Sequence, residues 1–238
     1  MAYGADLTAR EAEIIRVLNV LTSQTKEFIV IGGYAVNAFT SHRFSVDFDL
    51  VISEKDLPLF GQILSNEGYA RRRTVQRRRI SDGKIQEYVK LIGGRRVTAD
   101  LFMDTMVCRQ TGGPWSYELL KQNSFETNIT GLTDSAVARV PKRELLIAMK
   151  IHSARGADLR DVIMLSETAA WEAVAEFATC GAIQKVIKQV EDAIETICKK
   201  DFQSALKAGF GLRSDVTPLI SRTAKGLNTV KKVLSSSM

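Results

Sequence analysis

The hydrophobic and polar positions change rhythm once along the chain. In residues 8–22 the apolar Ile14, Val17, Leu18 and Leu21 recur at i, i+3, i+4 and i+7, which predicts a helix, and Thr8 and Glu11 stand at capping-box spacing. Residues 28–31 form a continuous apolar run that reads as a buried strand. It breaks at Gly32-Gly33, and a short helical stretch is expected over 34–39. A polar turn, 41–45, leads into a second strand, where Val46, Phe48 and Leu50 alternate with Asp47 and Asp49. Ser53 then caps a helix expected over 54–66, with Pro58 early in it and Gly68 placed to end it.

Three strands are expected next, over 69–80, 84–92 and 95–102, joined by hairpin turns at Asp82-Gly83 and Gly93-Gly94. Residues 110–114 read as a loop, 115–121 as a short helix, and 125–130 and 136–140 as weaker strands. From Pro141 the pattern turns helical, with helices expected over 142–153, 158–168, 171–179, 182–199 and 216–234. Val186, Val190, Ala193, Ile194 and Ile197 mark one buried face, and Val216, Leu219, Ile220, Leu227, Val230 and Leu234 another. The plan is α/β, more closely α+β: a mixed-sheet module over 1–140 followed by a C-terminal helical bundle over 141–238.

Composition narrows the class. With 238 residues, 45% hydrophobic and 25% charged, the chain is long enough for a sizeable core and ordinary for a globular protein. No apolar run approaches a membrane span and the N-terminus lacks a signal-peptide core. The three cysteines, Cys108, Cys180 and Cys198, lack metal-ligand spacing, so a reduced, cytoplasmic setting is expected. A net charge of +6 suits a polyanionic partner.

The chemistry concentrates in three carboxylates. Period-two geometry puts Asp47 and Asp49 on one strand face, and in RRVTADLFMD Asp100 shares a face with Thr98 and Phe102. Acids among β-branched and aromatic residues are costly to bury unless paired or metal-bound. An oxygen-only set suits Mg²⁺, which takes one or two carboxylates together with substrate phosphates. Gly32 and Gly33 stand at a strand-to-helix junction, where backbone N–H groups attract phosphate. Arg71, Arg72, Arg73, Arg77, Arg78 and Arg79 place six guanidinium forks in nine residues, a pattern suited to a nucleic-acid backbone. The bland alternative is a charged edge strand that blocks aggregation. Tyr34 could stack on a base or simply pack on the sheet, and His42 and His152 show neither ligand nor triad spacing.

GGYA, then HRFSVDFDL, then TADLF resembles the nucleotidyltransferases of the DNA polymerase beta superfamily, whose signature is Gly-Gly or Gly-Ser, a spacer, D-x-D and a third Asp on a later strand. The Arg-x-Ser lead-in, Arg43 and Ser45, is similar to that of the abortive-infection (AbiEii-like) toxin branch. Pro141, Glu144, Lys150, Arg155, Asp158 and Asp161 match that branch's C-terminal motif, so the resemblance covers residues 27–165. Two departures stand out: the second glycine replaces a serine common among relatives, and Ala157 stands where a basic residue usually precedes Asp158.

The resemblance implies a polymerase-beta-like module and transfer of a nucleoside monophosphate from a nucleoside triphosphate, with release of pyrophosphate. It implies two Mg²⁺ ions (or Mn²⁺) on Asp47, Asp49 and Asp100, with Asp100 also helping to deprotonate the acceptor. Gly32, Gly33, Arg43 and Ser45 would seat the nucleotide. Lys150, with Asp158 as support, would reach the triphosphate or else neutralise Asp158. The expected acceptor is RNA, such as a tRNA end, and an antitoxin protein is a further expected partner. The alternatives are a non-catalytic nucleic-acid-binding or antitoxin-like module, or transfer to a protein or small molecule.

Overall fold

The computed structural model describes residues 2–40, 42–72 and 84–236. Contacts divide the chain into two compact units: Met1–Ala38, His42–Met106 and Trp115–Pro141 form one, and Phe39–Ser41, Val107–Pro114 and Lys142–Met238 the other. The expected α/β class, a mixed sheet followed by helices, is what the structure has.

The first unit opens with α1 (Ala2–Gln24), whose Ile14, Val17, Leu18 and Leu21 are fully buried. Burying each such side chain stabilises the fold by roughly 1.5–3 kcal/mol. The helix begins six residues before Thr8, so the expected capping box does not form. Glu11 instead accepts from the Leu132 N–H at 2.8 Å. Then come β1 (Phe28–Ile31), α2 (Gly32–Val36), β2 (Asp47–Ile52) and, after one 3₁₀ turn at Glu54–Asp56, α3 (Leu57–Asn66). Ser53 makes no side-chain cap there. The Glu54 N–H is taken by Asp104 Oδ1 at 2.8 Å, from a residue fifty positions along the chain.

Three more strands complete the main sheet: β3 (Ala70–Arg71), β4 (Lys84–Ile92) and β5 (Arg95–Met103). The order is β1-β2-β5-β4-β3, with β2 and β5 parallel and the other pairs antiparallel. Of the strand expected over 69–80, only Ala70 and Arg71 are strand among the described residues; 73–83 lie outside them. A two-stranded ribbon follows, β6 (Thr105–Val107) with β7 (Pro114–Ser116). Trp115 is therefore extended rather than helical, and α4 (Tyr117–Gln122) starts from the Ser116 hydroxyl, which accepts from the Leu119 N–H at 3.2 Å. The hairpin of β8 (Ser124–Thr130) and β9 (Ser135–Pro141) turns Ala136, Ala138 and Val140 inward.

The second unit holds α5 (Arg143–Ser153), α6 (Gly156–Leu165), α7 (Trp171–Phe177), α8 (Ile183–Ile197), α9 (Lys200–Phe210) and α10 (Thr217–Ser236). Helix α9 was not among those expected. Its buried residues, Phe202, Leu206 and Phe210, stand only every fourth position among lysine, serine and glycine. Gly226, inside α10, lies against the Trp171 indole, where a β-carbon would stand 1.8 Å from Cε2. His152 is fully buried, with Nδ1 2.6 Å from the Thr111 hydroxyl and Nε2 3.1 Å from the Ala178 carbonyl. Burial lowers its pKa to about 4, against a smaller upward pull from that carbonyl.

Candidate active site

Two parallel strands fix the carboxylate face. In the β2–β5 register Asp47 stands opposite Thr98 and Asp49 opposite Asp100. Phe48, Leu50, Val97, Ala99 and Leu101 fill the buried face, so alternation drives Asp47, Asp49 and Asp100 onto the other. A one-residue slip would bury the carboxylates and expose the core, so the apolar residues specify the register. Across the β4–β5 pairing Asp100 stands opposite Glu87. The row Asp49, Asp100, Glu87 therefore crosses three strands. Sequence reasoning missed Glu87, whose signal was its position in the alternation of Lys84–Ile92. Its charge is met by the Arg72 guanidinium, which donates to Oε1 at 2.7 Å.

The Gly-Gly turn closes on the same face. Gly32 has φ +70°, the left-handed region that favours glycine, and a β-carbon there would stand 2.1 Å from Asp49 Oδ2. A β-carbon on Gly33 would meet an Arg43 guanidinium nitrogen at 2.8 Å and the Ser45 β-carbon at 3.3 Å. The Ser45 hydroxyl donates to Asp47 Oδ1 at 2.6 Å. Gly32, Gly33, Arg43, Ser45, Asp47 and Asp49 are thus neighbours.

The backbone before Asp47 is held at several points. Asn37, 2% exposed, donates from Nδ2 to the Arg43 carbonyl at 3.0 Å, and its Oδ1 accepts from the Arg43 N–H at 3.2 Å. The Tyr34 hydroxyl donates to the Ser45 carbonyl at 3.2 Å, and the Tyr34 ring is fully buried. Of the two roles open to Tyr34, packing is the one it has. His42 Nε2 is in close contact with Glu11 Oε1. Asn37 was not singled out from the sequence, because a lone Asn carries no pattern, and Glu11 entered only as one end of an expected capping box.

Lys150, Asp158 and Asp161 belong to the second unit. Lys150 is 6% exposed, and its ammonium donates to Asp158 Oδ1 at 3.0 Å and to Asp161 Oδ2 at 2.7 Å. Arg155 Nε donates to Asp158 Oδ2 at 2.7 Å. Asp158 is one of the two partners expected for Lys150. Burial raises the Asp158 pKa, but the Lys150 charge and the bonds from Arg155 and Lys150 outweigh it and bring the group down to about 2.

Of the arginine run, Arg71 donates to Gln86 Oε1 at 2.8 Å and Arg72 to Glu87; Arg73, Arg77, Arg78 and Arg79 lie outside the described residues. Arg71 and Arg72 thus hold residues of opposite β4 faces.

Among the described residues no three His, Cys, Asp or Glu side chains form a group able to hold a metal ion by themselves. Magnesium does not require such a cage, since it keeps several waters and takes one or two carboxylates with substrate phosphates. The all-oxygen chemistry of Asp49 and Asp100, directly opposite each other, fits that demand, with Asp47 two residues away on the same face.

No protein-family model matches the chain, and no curated protein matches it. Among solved structures it is similar to a crystal structure of an H. pylori protein assigned provisionally as a nucleotidyltransferase, at 15% identity over 97% of each chain with a TM-score of 0.50. The crystal structure of JHP933 from Helicobacter pylori is similar at 14% identity over 100% of this chain and 95% of that one, TM-score 0.49. The lincomycin-bound lincosamide antibiotic adenylyltransferase LnuA is similar at 16% identity over 67% of this chain and 98% of that one, TM-score 0.46. The first likeness is one of fold: the chain has a nucleotidyltransferase-like architecture. No helix among the described residues is long and apolar enough to cross a membrane.

Proposed function

We propose that this chain is a metal-dependent nucleotidyltransferase that moves a nucleoside monophosphate from a nucleoside triphosphate to a hydroxyl of RNA, a tRNA end being the model acceptor. The observation that carries the reading is the placement of Asp49 opposite Asp100, with the Gly32-Gly33 turn closed against the Asp49 carboxylate. A fold alone does not set a chemistry, so the reading rests on these residues. The RNA acceptor is supported by the net charge of +6 and by the arginines from Arg71 to Arg79. Resemblance to the toxin branch extends the proposal to an antitoxin protein as a partner.

In the reaction an acceptor hydroxyl oxygen forms a bond to the α-phosphorus. The bond from that phosphorus to the α–β bridging oxygen breaks, and pyrophosphate leaves with the electron pair. Asp100 takes the hydroxyl proton. Asp47, Asp49 and Asp100 would hold magnesium, which supplies positive charge to offset that of the triphosphate. The bare Cα atoms of Gly32 and Gly33 let phosphates approach the backbone, and the Arg43 guanidinium beside Gly33 adds a fixed cation. Ser45 steadies the Asp47 carboxylate through its hydroxyl. Catalysis of this kind is mostly positioning and charge stabilisation.

A second reading is a non-catalytic RNA-binding module, against which the three carboxylates on one face of β2 and β5 argue. One experiment separates the two. The full chain is incubated with each α-labelled triphosphate and Mg²⁺, with tRNA, with protein or with small-molecule hydroxyl acceptors, and Mn²⁺ binding is followed by paramagnetic resonance. Labelled RNA is expected, with Asp49→Asn and Asp100→Asn each reducing labelling by at least about a hundredfold. Absence of both label transfer and Mn²⁺ binding overturns the proposal. Label on another acceptor overturns its RNA part alone.

A further inference from the structure

Helix α10 has four ionisable side chains, Arg222, Lys225, Lys231 and Lys232, and no acid. Its buried stripe is Ile220, Thr223, Gly226, Leu227, Val230 and Leu234. At 3.6 residues per turn Lys225 and Lys232 fall on the middle of the opposite face, with Arg222 at its flank. All three are exposed. Of the other lysines on α8 and α10, Lys231 pairs with Glu191 at 2.7 Å and Lys188 with Asp192; Lys199, just past α8, pairs with Glu195 at 3.0 Å, and Lys185 makes no ion pair among the described residues. Among the described residues Arg222, Lys225 and Lys232 make no ion pair.

We infer that this face of α10 is a docking surface for the phosphate backbone of single-stranded RNA, which rests on the RNA reading above and gives it a second contact point. From Arg222 to Lys232 the stripe runs about 15 Å along the helix, at 1.5 Å per residue. That length spans several consecutive phosphates of one strand. Asn228, between Lys225 and Lys232 and exposed, is polar, and Ser221 and Ser235 flank the stripe at its two ends. No large apolar side chain is exposed on the helix. A membrane-surface helix needs an apolar face to insert, so the chemistry favours a backbone of phosphates over a lipid surface. Arg222 supplies a guanidinium fork and the two lysines supply point charges, a set that reads charge rather than base sequence.

The test measures anisotropy of a fluorescein-labelled oligouridylate of twenty nucleotides on the full chain, across a potassium chloride series. Each lost phosphate contact lowers the log–log salt slope by about 0.7, so Arg222→Ala, Lys225→Ala and Lys232→Ala together should lower it by about 2. Lys188→Ala with Lys199→Ala, which also removes positive charge, should leave the slope unchanged. If the triple variant fails to fold, as seen by circular dichroism, the single variants carry the test at about 0.7 each. An unchanged slope in the α10 variants while the wild type binds overturns this surface and leaves the RNA acceptor standing. An equal fall in the control pair also overturns it, because bulk charge then explains the binding. Loss of binding to phosphatidylserine vesicles with RNA binding intact overturns it in favour of a lipid surface. A wild type that binds no RNA removes both the surface and the RNA acceptor.

Discussion

Asp49 sets its Oδ2 against Gly32, at a point where a β-carbon would stand only 2.1 Å away. Gly32 also has φ +70°, so Gly32→Ala meets a strained backbone and a displaced carboxylate together. The expected cost is about 2 kcal/mol of stability and a marked loss of Mn²⁺ affinity. Gly33→Ala meets mainly the far end of the Arg43 side chain, which can swing aside, so it should melt close to wild type. Thermal melts beside a Mn²⁺ titration check the contrast, and equal behaviour of the two variants would refute it.

Lys150→Met removes the cation shared by Asp158 and Asp161 and leaves two buried carboxylates facing each other. A stability loss of about 3–5 kcal/mol is expected. The Asp158 carboxyl is held near 2, below its unfolded value near 3.9. Its contribution is therefore present above about pH 4 and is lost as pH falls through 2. In Lys150→Met that acid-side loss should shrink, which denaturant melts between pH 5 and 2 would show.

His152 carries the opposite sign from a paired histidine. Its folded pKa of about 4 lies below the ordinary 6.5, so below pH 6.5 the unfolded chain takes up a proton that the folded chain refuses. Stability should fall between pH 6.5 and 4 by about 3 kcal/mol at most, at 1.36 kcal/mol per pKa unit. His152→Gln should be less stable at pH 7 but flatter across that window. Parallel curves for the two proteins would sink the burial account.

Gly226 reverses a familiar rule. A glycine inside a helix normally gains about 1 kcal/mol on replacement by alanine. Here the new methyl would overlap the Trp171 indole, so Gly226→Ala should destabilise by about 1–3 kcal/mol. Calorimetry of the variant decides the sign.

The carboxylate face was legible because its signal is local: Phe48 and Leu50 alternate with Asp47 and Asp49, and Val97, Ala99 and Leu101 do the same around Asp100. What joined the two strands, a parallel register between residues fifty-one apart, follows from packing rather than from periodicity. The same limit hid Glu87, whose place beside Asp100 depends on the β4–β5 register, and the Asp104 carboxylate that caps the turn at Glu54. Lys150 was legible as a residue of consequence. Asp158 and Asp161 were legible as motif residues, and the packing of α5 on α6 is what brings both to the Lys150 ammonium. Helix α9 escaped because three widely spaced apolar residues are too few to set a period.

The grip of Asn37, Tyr34 and Glu11 on residues 42–45 has a kinetic consequence. Those bonds are made by the protein itself, so the segment is ordered before any ligand arrives. The entropy of fixing it is lost at folding rather than at encounter. Association at this face should then proceed without a slow, concentration-independent closing phase, its rate governed by docking alone. Asn37→Ala would transfer that ordering to the encounter. Such a phase would then appear in stopped-flow traces even where the final affinity has changed little.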